Sequence, residues 1–336
     1  MRKVNMAVIG TGRIGRIHAR NLKYRIPGAK LRAVADVDAA SARNLADELE
    51  IPICETDYHR LLGQGDIEAV VICSSTDTHA PIMAEAAAAG KHIFCEKPIA
   101  LDMDRIEEAL AAVERAGVKL QVGFNRRFDP GFQRARELVA AGKIGVPQLL
   151  RISSRDPQPP PLDYVKVSGG LFLDMMIHDF DMARFLMGEE VTELMATGHC
   201  LIDPAIGTCG DVDTAVVLLK FQSGALGTID NSRRAVYGYD QRIEVFGSGG
   251  SVVVGNKTPT EVVIHNAESI QHDKPLHFFL ERYQEAYLAE MGEFVASILD
   301  DRTPCVGGAD GKISVAMGYA ALESIRSGRF VKVKAD

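Results

Sequence analysis

Three features are missing from this chain, and each absence closes off a class of function. No apolar run approaches the roughly 18 residues that a membrane-spanning helix requires, so a membrane partner is not expected. No run of lysine and arginine is present, and the formal charge is 38 minus 45, or -7, at pH 7. Such a surface repels phosphate backbones, which argues against nucleic acid. No Cys-x-x-Cys pair occurs among Cys54, Cys73, Cys95, Cys200, Cys209 and Cys305. Buried, reduced thiols in a cytoplasmic protein are the plain reading, and neither a disulfide framework nor a zinc site is indicated. Internal repeats and low-complexity tracts are also lacking.

What is present is ordinary in bulk. The 336 residues, 46% hydrophobic and 25% charged, suit a soluble globular protein and exclude disorder and fibrous folds. At about 100 to 200 residues per domain, two domains fit. Residues 6–10 follow Arg2 and Lys3 as a signal peptide would, but the apolar stretch is short and enters a glycine-rich loop, so it reads as a first strand.

Up to about residue 123 the sequence alternates short β-branched runs (4–9, 31–35, 69–73, 92–95, 119–122) with helical patterns (14–24, 39–48, 78–89, 102–116). This alternation predicts a doubly wound parallel sheet of α/β type. Beyond residue 124 the pattern becomes α+β. A helix over 130–141 leads to a strand over 148–154, a turn-rich loop over 156–163 and a helix over 170–187. Strand-like runs then follow without intervening helices (193–202, 214–222, 225–234, 241–246, 251–254, 261–265), and helices over 278–299 and 308–326 close the chain. Consecutive strands imply a largely antiparallel, open sheet. The expected division is a cofactor-binding domain over 1–123 and a substrate-binding and oligomerisation domain over 124–336.

Three motifs carry chemistry. Gly10-Thr11-Gly12-Arg13-Ile14-Gly15 follows the first strand and opens a helix, where glycines permit a tight turn and a pyrophosphate can sit on the helix N-terminus. Asp36 closes the second strand, where a carboxylate accepts ribose hydroxyls and repels a 2′-phosphate, favouring NAD over NADP. The competing reading is a glycine turn of another α/β protein, with Asp36 as a helix cap. Past the third strand, the hydroxyls of Ser74, Ser75 and Thr76, with His79, stand where strand ends face a cofactor, or else Asp77 or Thr78 simply caps the next helix.

The second motif, Glu96-Lys97-Pro98, ends a strand at the same edge and puts a cation into a cleft, unless Lys97 is a solvated surface residue. In the third, Asp174 and His178 stand four apart on a helix and share a face. Imidazole accepts a proton near neutral pH, and a carboxylate one turn earlier orients it or pairs with Lys97. Such a pair is also common on surface helices, and no third ligand of suitable spacing suggests a metal. The stretches 125–129 and 231–240 either line a polar pocket or form solvated strand ends.

Taken together, GTGRIG, EKP, NRRFD, the GGLFLDMMIHDFDMAR helix and the open second sheet resemble the Gfo/Idh/MocA oxidoreductases over essentially the full length. Ser154 to Pro157, Asp174 with His178, and SRRAVYGYDQR resemble the inositol 2-dehydrogenase branch of that family. The resemblance implies a Rossmann domain that binds NAD through Gly10, Gly12, Arg13, Ile14, Gly15, Asp36, Ser74, Ser75, Thr76, His79, Glu96 and Lys97. It implies His178 as general base, Lys97 bonded to the reacting oxygen, and Asp174 holding both the histidine and a ring hydroxyl. Arg127, Asp156, Tyr237 and Asn231 would bind the remaining hydroxyls of a polyol. The implied reaction oxidises the C2 hydroxyl of myo-inositol to the 2-keto product, in a homo-oligomer (dimer or tetramer). The alternatives are scyllo-inositol, another inositol or an aldose as substrate, or a non-catalytic NAD-binding regulator, a type that tends to lack the lysine or the histidine.

Overall fold

Short aliphatic runs with no polar face become a sheet buried on both sides. The computed structural model describes residues 2–334. Its first sheet contains β1 (Val4–Ile9), β2 (Ala29–Ala35), β3 (Ile53–Glu55), β4 (Ala69–Ile72), β5 (His92–Glu96) and β6 (Leu120–Gly123). The strand order is β3-β2-β1-β4-β5-β6, with every neighbouring pair parallel. The order reverses between β1 and β4, and in such sheets the crevice at the carboxyl ends of the two strands is where ligands bind. Helices Arg13–Tyr24, Ala39–Glu48, Thr76–Ala88 and Met103–Ala116 connect the strands, as the sequence pattern predicts. β3 and the four-residue helix His59–Leu62 do not emerge from the sequence, because elements this short show no periodicity.

The first compact unit contains residues up to 128 together with 285–315. Helix Gln284–Leu299 sends Met291, Phe294, Val295 and Ile298 into the core formed by Val4, Met6, Val8, Val71 and Phe94. A division at residue 123 assigns this helix to the second domain. The structure instead gives it to the first, because its apolar side chains complete a core that Ala19, Leu22, Leu45 and Ala46 of two earlier helices also help to build.

The second unit comprises 129–284 and 316 onward. Its sheet is built from β7 (Pro147–Arg155), β8 (Val191–His199), β9 (Thr214–Phe221), β10 (Leu226–Ser232), β11 (Asp240–Gly247) and β12 (Gly250–Val254). Strands β13 (Val263–His265) and β14 (Ile270–His272) form a separate hairpin, and β15 (Val331–Lys332) joins the main sheet edge. The main order is β12-β11-β7-β10-β9-β8-β15, antiparallel except for the parallel β7/β10 pair. One face packs on helix Ile177–Met187, while Val216, Leu218, Leu226, Phe246 and Val253 are exposed on the opposite face.

Three expected elements are subdivided. The helix over 170–187 starts as a π-turn, Leu171–Met175, before Ile177–Met187. The helix over 278–299 is interrupted between Arg282 and Gln284, and the loop over 156–163 runs into helix Leu162–Ser168. Among the described residues no helix is long and apolar enough to cross a membrane, and no disulfide forms.

Candidate active site

In the first unit the three glycines of the loop do different work. Gly10 has φ +95°, and a Cβ there would stand 2.5 Å from the Cys73 carbonyl and the Ser74 nitrogen. At Gly15 a Cβ would fall 1.9 Å from the Gly10 oxygen, so helix and loop touch through backbone alone. Gly12 faces open space, with nothing within 4 Å of the Cβ it lacks. The helix that follows has no side-chain cap and no acidic residue in its first turn. Its leading N–H groups and dipole therefore face outward, which is the donor set a diphosphate needs. Arg13 is exposed there and Ile14 half-buried.

Asp36 sits one residue beyond β2 and grips this loop. Its Oδ2 accepts from the Thr11 N–H (2.6 Å) and hydroxyl (2.9 Å), and its Oδ1 from the Asp38 N–H (2.9 Å). The carboxylate is aligned by the loop it borders, and the helix cap role belongs to Asp38, which accepts from Ala40 and Ser41. Cradle, uncapped helix and carboxylate together fit a dinucleotide with free ribose hydroxyls.

At the end of β4, Ser75 is exposed and Thr76 half-buried, while Ser74 Oγ lies 2.6 Å from Thr78 Oγ1. His79 is 2% exposed, with Nδ1 2.8 Å from the Pro98 oxygen and Nε2 3.0 Å from the Ser74 oxygen. Burial lowers its pKa. Although the sequence groups His79 with cofactor contacts, the structure uses its ring as a strut between two strand-end turns, one of which is the cis Lys97–Pro98 peptide. Glu96 is likewise occupied, accepting from His18 Nε2 at 2.8 Å. Lys97 is half-buried at the strand end, and Arg127, in the 3-10 turn Asn125–Phe128, is paired with Asp310 at 2.8 Å.

In the second unit the catalytic-type residues stand on the helix that begins with a wide turn. The Met176 N–H bonds to the Leu171 oxygen at 2.8 Å, a spacing one residue longer than in an α-helix. Asp174 lies inside that π-turn and His178 just after it, and π-bulges are frequent at functional sites. Asp174 is fixed from two sides: Tyr164 donates its hydroxyl to Oδ1 (2.9 Å), and Arg233 Nη1 lies 3.5 Å from Oδ2. Arg233 is 1% exposed and also approaches Asp211 Oδ2 at 4.0 Å. Asp211 accepts from the Leu171 N–H at 2.9 Å, under Gly170 (φ +78°), where a Cβ would come within 2.6 Å of the carboxylate. Burial raises the Asp211 pKa, against the bonds from Leu171 and Val212 and the charge of Arg233.

Asn231, expected among substrate contacts, is 1% exposed and donates its amide to Asp179 Oδ2 at 2.9 Å. That bond anchors the helix next to His178 through the amide nitrogen. The Tyr237 hydroxyl donates to Asp240 Oδ2 (2.5 Å) and accepts from Arg155 (3.3 Å). The backbone of Asp156 is stitched to Ser232 and Ala235 at 3.0 and 2.6 Å, which brings those two loops together. Tyr164 and Asp211 were not singled out by sequence, and Arg233 lay within the stretch 231–240 that the sequence left open between pocket lining and strand end.

Comparison with known proteins agrees with both halves. Residues 4–124 match the oxidoreductase family with an NAD-binding Rossmann fold, and residues 132–253 match the GFO/IDH/MocA C-terminal domain. The chain is 50% identical to myo-inositol 2-dehydrogenase of Thermotoga maritima, over 98% of this chain and 99% of that protein. It is 45% identical to inositol 2-dehydrogenase of Rhizobium meliloti, over 98% and 99%. Among solved structures, scyllo-inositol dehydrogenase of Lactobacillus casei with bound NAD(H) and scyllo-inositol superposes with a TM-score of 0.92 at 32% identity, covering 99% of this chain and 98% of that one. With family models matching residues 4–124 and 132–253 and a relative at 50% identity covering 98% of its length, this chain belongs to the GFO/IDH/MocA oxidoreductase family.

Proposed function

We propose that this oxidoreductase oxidises the C2 hydroxyl of myo-inositol to the 2-keto product with NAD as acceptor. The observation that carries the substrate class is the full-length similarity to inositol 2-dehydrogenases, at 50% identity in the Thermotoga maritima protein. In support, the second unit holds an oriented carboxylate and an imidazole on one helix, and the first unit holds a dinucleotide cradle.

The diphosphate would lie on the N–H groups of residues 12–15 and the adenosine ribose on Asp36, with Ser74, Ser75 and Thr76 bordering it. NAD held there would supply the acceptor for the hydride leaving the alcohol carbon. His178 takes the hydroxyl proton, since a neutral imidazole is the side chain whose affinity for protons matches neutral pH. Lys97 donates a hydrogen bond to the same oxygen and stabilises the negative charge that grows as the proton leaves. Asp174 orients His178 and accepts from a neighbouring ring hydroxyl. Tyr164 and Arg233 keep its two oxygens aimed. Arg127, Asp156 and Tyr237 contact the remaining hydroxyls, where a mismatched stereoisomer leaves a buried group unpaired at about 1–3 kcal/mol.

A second reading, scyllo-inositol as substrate, is favoured by the 39% identity to scyllo-inositol 2-dehydrogenase of Bacillus subtilis. NADH formation with myo-inositol, scyllo-inositol and aldoses decides between them. Loss of turnover in Lys97→Ala and in His178→Ala with NADH binding retained supports the roles given, and full turnover in either variant overturns them. The exposed apolar rows of β9 to β12 suit a homo-oligomer, dimer or tetramer, closed through the sheet face. The acidic surface and unpaired cysteines suit a cytoplasmic enzyme.

A further inference from the structure

Behind the glycine loop lies a set of ionisable side chains that the reaction leaves unused. His18, on the first helix, points Nε2 at Glu96 Oε1 (2.8 Å), and Glu290 Oε1 lies 3.8 Å from the same nitrogen. His18 and Glu290 are fully buried. The imidazole is held edge-on by Phe94 and Tyr287, with centroids at 5.0 and 5.8 Å. Gln121 donates to the Glu290 carbonyl at 2.7 Å, which fixes the backbone there. Neither carboxyl oxygen of Glu290 has a hydrogen-bond partner among the described residues.

One N–H cannot serve two carboxylates. His18 Nε2 is engaged by Glu96, so an ionised Glu290 would sit in the interior with no donor and a second negative charge close by, an arrangement costing several kcal/mol in real proteins. Burial, with the charge of Glu96, accordingly pushes the Glu290 carboxyl well above its usual range. The titratable groups facing it are His18 on the first helix, Cys73 after β4 and Glu96 at the end of β5, with Tyr287 on its own helix. Ligand-type atoms of His18, Cys73 and Glu96 lie within 4.8 Å of one another. However, the 2.8 Å His18–Glu96 spacing is that of a hydrogen bond, and burial raises the Cys73 thiol, so a proton rather than a cation belongs here.

We propose that Glu290 is a positioning residue of the cofactor half: as the neutral acid it leaves the His18–Glu96 bond intact, and that bond ties the glycine-loop helix to the strand end carrying Lys97. His18 stands three residues beyond Gly15, and Glu96 immediately precedes Lys97. Ionising Glu290 makes two carboxylates compete for one donor, and loop and lysine lose their common anchor. The proposal rests on the reading of this loop as the NAD site.

The test compares the full-length wild type with Glu290→Gln, an amide of the same shape with no proton to lose, and with Glu290→Met as a neutral backup should the amide fail to fold. NADH binding is followed by fluorescence from about pH 6.5 to 9.5, alongside thermal melts without cofactor. A carboxyl whose folded pKa is raised contributes its stability below the unfolded value and loses it as pH rises through the folded one. Wild type and variant should therefore bind NADH equally at the acidic end, where the folded carboxyl is neutral, although the wild-type melt is already depressed there because that pH lies above the unfolded value. Toward pH 9.5 the wild type should melt lower and bind NADH ~10-fold more weakly, the factor that accompanies one pKa unit of differential interaction, while the variant changes little. Parallel melting curves, or a variant that binds poorly at every pH, overturn the proposal. Diverging melts and binding with no polyol turnover in either protein would sink the substrate reading and leave this one standing.

Discussion

Arg233→Met removes the cation that two partly opposed carboxylates share. Arg233 Nη1 and Nη2 stand 3.5 Å from Asp174 and 4.0 Å from Asp211, and the side-chain exposures of those carboxylates are only 15% and 8%. Deleting one partner of a buried ion pair costs about 3–5 kcal/mol. For a unit of roughly 150–250 residues each kcal/mol lowers the melting temperature by ~2–4 °C, so the second unit should melt ~6–20 °C lower at pH 7. The pH dependence adds a sign. The folded pKa of Asp211 is raised above its ordinary 3.8 by burial, opposed by backbone donors and by Arg233, so its ionised form already costs stability near neutrality. Without Arg233 that pKa rises further. The deficit relative to wild type should be largest at pH 7 to 8 and shrink on acidification, as Asp211 takes up a proton. Turnover should fall as well, because Asp174 loses the group that aims Oδ2. Calorimetry across pH 5–8 with steady-state kinetics is the assay. A melt within 2 °C of wild type at pH 7, or a deficit that grows on acidification, refutes the reasoning.

Gly10→Ala should cost roughly 1–3 kcal/mol in backbone strain and abolish measurable NADH binding, since its Cβ would meet backbone atoms at 2.5 Å; an unchanged melt and dissociation constant would contradict this. Asp36→Ser combined with Val37→Arg should shift the kcat/KM ratio toward NADP by replacing a repelling carboxylate with a cation, and an unmoved ratio would show that Asp36 does not read the ribose. Leu218→Glu, on the exposed sheet face, should lower the oligomeric mass in sedimentation without lowering the monomer's melting temperature; an unchanged mass would remove that face from the assembly.

Much of this was legible in local sequence. Glycine spacing, the β-branched runs and the change from alternation to consecutive strands depend on near neighbours, and they gave the parallel sheet, the mixed sheet and the cradle. Asp36 was legible because it ends a strand after a glycine loop. The fixed geometry around Asp174 was not: Tyr164, Arg233 and Asp211 come from three separate stretches, and only the fold brings them to one carboxylate. The π-turn also escaped, because a helix widened by one residue keeps nearly the same apolar pattern. Helix Gln284–Leu299 was visible as a helix, but its allegiance to a sheet far earlier in the chain leaves no periodic mark.

That allegiance has a consequence for how the protein is born. β6 ends at Gly123, yet the helix that completes the core of its sheet ends at Leu299. During synthesis at ~5–20 residues per second, the core that Val4, Val8 and Phe94 share with Met291 and Phe294 waits roughly 10–35 s for completion. The nascent cofactor half is therefore a natural client for chaperones at the ribosome.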